Sequence, residues 1–116
     1  MKNEKAQKII ASIIKEVEKE NYDVQKVSDQ ITELRVIAKE MEDPLVLKTL
    51  RFIKEKIADG GKFELQIESE DEEDEEEIEI PDNQLLYIFQ LLLDSDNKYN
   101  REEIKQYRTA LQLDLY

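Results

Sequence analysis

Eight of the nine residues from Leu85 to Leu93 are apolar, Gln90 being the exception, and wound into a helix they cover every side rather than one stripe. A helix of that kind is buried over most of its surface. A bilayer span needs about 20 apolar residues, whereas this run is closed by Pro81-Asp82 before it and Asp94-Ser95-Asp96 after it. It reads as the central core helix of a small domain, with the other amphipathic segments packed around it.

A chain of 116 residues, 40% of them apolar, suits one domain with one core. Cysteine and histidine are both absent. Disulfides, thiol nucleophiles and structural zinc are thereby excluded, together with the commonest general base and the usual transition-metal ligand. Met1-Lys2-Asn3-Glu4-Lys5 is charged and leads straight into an amphipathic pattern, with no apolar core of a signal peptide and no membrane-spanning run after it, so the expected address is cytoplasmic.

The net charge of −12 is unevenly placed. Residues 1–62 carry 13 basic and 12 acidic side chains, and residues 63–116 carry 4 and 17. Eight of the latter are consecutive: Glu70, Asp71, Glu72, Glu73, Asp74, Glu75, Glu76 and Glu77. No internal ion pair can form in such a run, and self-repulsion favours an extended, solvated loop. Direct nucleic-acid binding by this half is not expected.

Ala6, Ile9, Ile10, Ile13, Ile14 and Val17 recur at helical spacing and predict a first helix over 5–19. After a turn at residues 20–23, capped by Asp23, the seam Val24, Val27, Ile31, Leu34, Ala38 and Met41 predicts a second helix antiparallel to the first. Val36 and Ile37, off that seam, widen the apolar surface enough to permit a homodimer. Asp43 as cap and Pro44 as first residue open a third helix with Val46, Leu50, Ile53 and Ile57 on its buried face, and Asp59-Gly60-Gly61 closes it.

Residues 62–68 and 77–80 then alternate apolar and polar with period two, which predicts an antiparallel hairpin carrying the acidic loop 69–77. Pro81-Asp82-Asn83 stops the second strand and caps the helix of Leu85 to Leu93. Asn100 and Glu103 have the spacing of a capping box for a last helix bearing Ile104, Tyr107 and Leu111, and the alternating tail 111–116 suits a short extended segment. The expected class is α+β: a helical part over 1–59, a hairpin over 62–80 and a helix pair over 82–116, in one domain.

Residues 94–103 resemble the back of an EF-hand loop. With Leu92 at the first position, Asp94, Asp96 and Glu103 fall at the third, fifth and twelfth, and Tyr99 at the apolar eighth. Leu92 replaces the first carboxylate and Asn97 the turn glycine, so the resemblance implies weak calcium affinity at most. An Asp-rich turn feeding a capped helix accounts for the same residues.

Glu64 and Glu79 face each other across the expected hairpin, but as exposed acids without a nucleophile or oxyanion donor they make no catalytic site. No residue is assigned a catalytic role, and no cofactor is implied. The favoured reading is a non-enzymatic interaction module whose strip Glu70 to Glu77 engages a basic protein surface, as a nucleic-acid mimic or inhibitor would, with no membrane and as monomer or homodimer. The alternatives are a weak calcium-binding protein using loop 92–103, and a structural or dimerising protein whose acidic loop merely solubilises it.

Overall fold

A computed structural model describes residues 1–60, 63–65 and 81–116. They form five helices: α1 (Glu4–Val17), α2 (Val24–Glu40), α3 (Pro44–Ala58), α4 (Gln84–Leu93) and α5 (Lys98–Leu115). Each begins on an Asn or Asp whose side chain accepts an otherwise unpaired amide. Asn3 caps α1, Asp23 α2, Asp43 α3, Asn83 α4 and Asn97 α5.

Helix neighbours make a closed circuit, α1 beside α2, α2 beside α3, α3 beside α5, α5 beside α4, and α4 beside α1. The inward faces form one apolar core containing Ile10, Ile13, Ile31, Leu34, Leu50, Ile53, Ile88, Phe89, Leu92, Ile104 and Leu111. α4 is therefore one member of the circuit rather than an axle around which the rest turn. One face of it explains the difference: Gln90 and Leu93 are exposed, and Leu86 and Tyr87 half-buried.

The expected α+β class is corrected to all-α for the described residues, which contain no strand. Phe63 to Leu65, the described part of the first expected strand, has no regular secondary structure. Its last residue finds its hydrogen bonds elsewhere: the Leu65 amide donates to Gln84 Oε1 at 2.6 Å, and Gln84 Nε2 donates to the Leu65 carbonyl at 2.9 Å. A buried side-chain amide thus satisfies both backbone groups that a partner strand would have taken. The rest of the expected hairpin, with its loop 69–77, lies outside the described residues.

Two further expectations are corrected. Residues 111–115 continue α5 instead of extending, since Leu111 and Leu115 are also four apart and share a helix face. Ile37, offered as dimer surface, is only 6% exposed and belongs to the chain's own core, leaving Val36 at 56% without it.

The turns are fastened by charge as well as by apolar contact. Glu16, buried at the end of α1, accepts the Asp23 amide at 2.9 Å and lies 3.0 Å from Lys19 and 3.6 Å from Lys26. The Asp23 amide, then Lys19, hold its carboxyl below the usual carboxylate range. No helix of the described residues is long and apolar enough to cross a membrane.

Candidate functional site

The acidic strip from Glu70 to Glu77 lies outside the described residues, but the chain on either side of it is placed. Fifteen residues separate Leu65 from Pro81. On the near side Leu65 is buried and clasped by Gln84. On the far side Asn83 does two things: its Oδ1 accepts the Leu86 amide at 3.0 Å, and its Nδ2 donates to the Val17 carbonyl at 3.0 Å. Both ends of the segment are thus tied to α4 and, through Val17, to α1. A groove beside these ends is bounded by Phe63, Leu65, Pro81 and Gln84 on one side and by Lys105 and Arg108 of α5 on the other. Glu64 is exposed here, and its expected partner Glu79 lies outside the described residues.

The connection between α4 and α5, where the calcium-loop likeness falls, is only residues 94–97. Asn97, not Asn100, caps α5, accepting the amides of Tyr99 at 2.9 Å and Asn100 at 3.3 Å. The expected Asn100–Glu103 capping box is therefore corrected. Asn100 donates instead to the Asp94 carbonyl at 3.0 Å, and Glu103 accepts the hydroxyl hydrogen of Tyr87. One turn earlier, Leu92 is fully buried in the core. Three positions of the likeness, at 92, 97 and 103, are thus occupied by structural contacts, and Asp94 and Asp96 stand without Glu103 as a shared ligand. Among the described residues no group of three or more carboxylates is arranged to hold a metal ion.

Cationic groups of the chain itself occupy this corner. The Met1 ammonium is buried against the carboxyl end of α4, donating to the Leu92 carbonyl at 3.2 Å, the Leu93 carbonyl at 3.4 Å and Ser95 Oγ at 2.8 Å. A positive charge there meets the negative end of the helix dipole. Desolvation lowers the amine's pKa against the raising effect of Asp96, Asp94 and Asp43. Arg101 makes a two-pronged contact with Asp43, at 3.1 and 3.0 Å, and donates to the Ser95 carbonyl at 3.2 Å. Burial raises the pKa of Asp43, but the Arg101 guanidinium and the Val46 amide outweigh it and hold the carboxyl below its ordinary range. Sequence reasoning found Asp43 as a cap and missed this pairing, because partners 58 positions apart carry no local signal of it.

Between α4 and α5 the Tyr87 and Tyr107 rings meet edge to face at 6.0 Å. Burial, then Glu103, raises both hydroxyl pKa values, that of Tyr107 to about 12. These phenols stay protonated at neutral pH, and the cluster holds two helices together rather than supplying a base. Met1, Ser95, Arg101 and Asp43 bond to one another at this corner, and what they do chemically is fix the α4–α5 connection. Comparison with known proteins finds no matching family model, no similar curated protein and no similar solved structure.

Proposed function

We propose that this chain is a non-enzymatic interaction module whose run Glu70 to Glu77 engages a basic surface on a protein partner. The observation that carries the reading is the isolation of that charge: eight carboxylates stand in succession, and no lysine or arginine occurs between Lys62 and Lys98. No neighbour in the sequence neutralises them. The helical body supports the reading by fixing the chain on both sides of the run, at Leu65 through Gln84 and at Asn83 through Val17. Like charges in such a run attract a complementary surface from a distance and set association rate and register more than final affinity.

The test is a pull-down from the native lysate with two baits, the natural chain and one in which all eight acids are replaced by Gln or Asn. A protein held by the first, released by a salt step and absent from the second, supports the reading. Equal retention by both baits sinks it.

A further inference from the structure

In this acidic molecule, positive charge gathers along α3. α3 carries Lys48, Arg51, Lys54 and Lys56 against a single acid, Glu55. Lys56 is spent on Asp114, 2.6 Å away. The others point outward, and Arg51 and Lys54 meet Arg35 of α2 across an open cleft of about 530 Å³ lined by Arg35, Arg51, Lys54, Glu55 and Ala58.

Both oxygens of Glu55 are already engaged. Oε1 accepts from Arg51 Nε at 3.4 Å, and Oε2 from the Tyr116 hydroxyl at 2.6 Å. The Lys54 ammonium is steered by Thr32 Oγ1 at 2.8 Å, a neutral partner that positions it without cancelling its charge. Arg51 lies over the Phe52 ring, its guanidinium carbon 5.7 Å from the centroid, which limits its swing. Arg35 is the conspicuous member: its Nε is buried and has no hydrogen-bond partner.

We propose that this cleft is an oxyanion site for a phosphate dianion, free or borne on a phosphorylated side chain. Three cations against one carboxylate leave a local charge of +2, which a phosphate group of about −1.5 to −2 balances and a single carboxylate does not. Two guanidinium groups and an ammonium suit the several acceptor oxygens of phosphate. Among the described residues Ala58 is the one apolar member of the lining, so these residues offer no platform for a nucleobase. A chain of net charge −12 repels a long polyanion while a small dianion fits within the local positive field.

Thermal melting with inorganic phosphate, against chloride at matched ionic strength, is the first measurement. A saturable rise in melting temperature is expected, with apparent affinity reduced about tenfold or more in Arg35→Gln and unchanged in Lys105→Gln, which lines the other groove. In the natural chain, nitrogen–proton spectra of the arginine Nε–H groups should show Arg35 and Arg51 shifting with phosphate while Arg101 stays still. That readout stands even if a variant fails to fold. A phosphoserine peptide binding more tightly than free phosphate supports the site and assigns it to a modified partner. No saturable response, an equal response in Arg35→Gln, or tighter binding of a single-stranded oligonucleotide than of phosphate overturns the proposal.

Discussion

Glu42 stands where α2 gives way to α3, and its backbone is left-handed, with φ 56°. The Glu42 amide donates to the Lys39 carbonyl and the Asp43 amide to the Ala38 carbonyl, both at 3.1 Å, the paired bonds of a helix end that ordinarily has glycine in this place. A left-handed L-residue costs roughly 1–2 kcal/mol, and the Glu42 side chain is exposed. Glu42→Gly is therefore expected to raise stability by about 0.5–1 kcal/mol after the extra freedom of glycine in the unfolded chain is counted, read as a higher urea midpoint. Its neighbour gives the pH dependence. Asp43 has a folded pKa below its unfolded value, so its contribution is present above the unfolded pKa, about 4, and is lost as pH falls through the folded one. Asp43→Asn keeps a capping side chain but not the charge paired with Arg101. The expected cost is about 1–2 kcal/mol at pH 7, discounted because the Arg101 side chain is 32% exposed. Denaturation midpoints of the two proteins should converge below pH 4. A gap that does not narrow as pH falls below 4 would mean that packing, not charge, sets the difference.

The helices were legible from their apolar patterns, and α2, α3 and α4 also from an Asn or Asp at the start. Asp23, and Asp43 with Pro44, mark their helices in the sequence as they do in space, and Gly60 takes the left-handed conformation expected after α3, with φ 74°. Period-two alternation was the poorer guide. Over six residues it is compatible with either structure: Leu111 and Leu115 read as strand and lie on one side of α5, while at Phe63 to Leu65 the pattern says nothing of Gln84, the residue that takes Leu65's backbone bonds. The α4–α5 turn misled for a different reason, since Asp94, Asn97 and Asn100 are all cap formers spaced by three, and it is Asn97 that caps α5. Two outcomes follow for these elements. Phe89, fully buried in α4, should cost about 3–5 kcal/mol when replaced by Ala, and a loss under about 1 kcal/mol in chemical denaturation would show that the core closes without it. Calcium at micromolar concentration should give neither heat in calorimetry nor a melting shift, because Leu92 is in the core and Glu103 is bonded to Tyr87. Heat abolished by Asp96→Asn would contradict this.

Across the whole molecule the charge is sorted rather than mixed: the three amino-terminal helices are close to neutral, and the acidity begins after Lys62. That division was readable from residue counts alone. The cationic cleft of Arg35, Arg51 and Lys54 was not, because its members come from two helices and become a site only when α2 packs on α3. Its one sequence signal was the run of basic residues along α3, obscured by the balanced total of residues 1–62. If the strip from Glu70 to Glu77 recognises a basic surface, association rests on many weak contacts, each screened over a Debye length of about 8 Å at physiological salt. A single change such as Glu73→Gln should then alter the association rate little. Neutralising all eight should slow association strongly and flatten its dependence on salt, while dissociation changes less, since long-range attraction acts on encounter. Stopped-flow or surface-capture kinetics with the partner found by pull-down, at low and high salt, reads all three quantities. A neutralised variant that associates as fast as the natural chain at both salts would remove the strip from the recognition surface and send the search to the helices, where Val36 is the exposed apolar residue to change first.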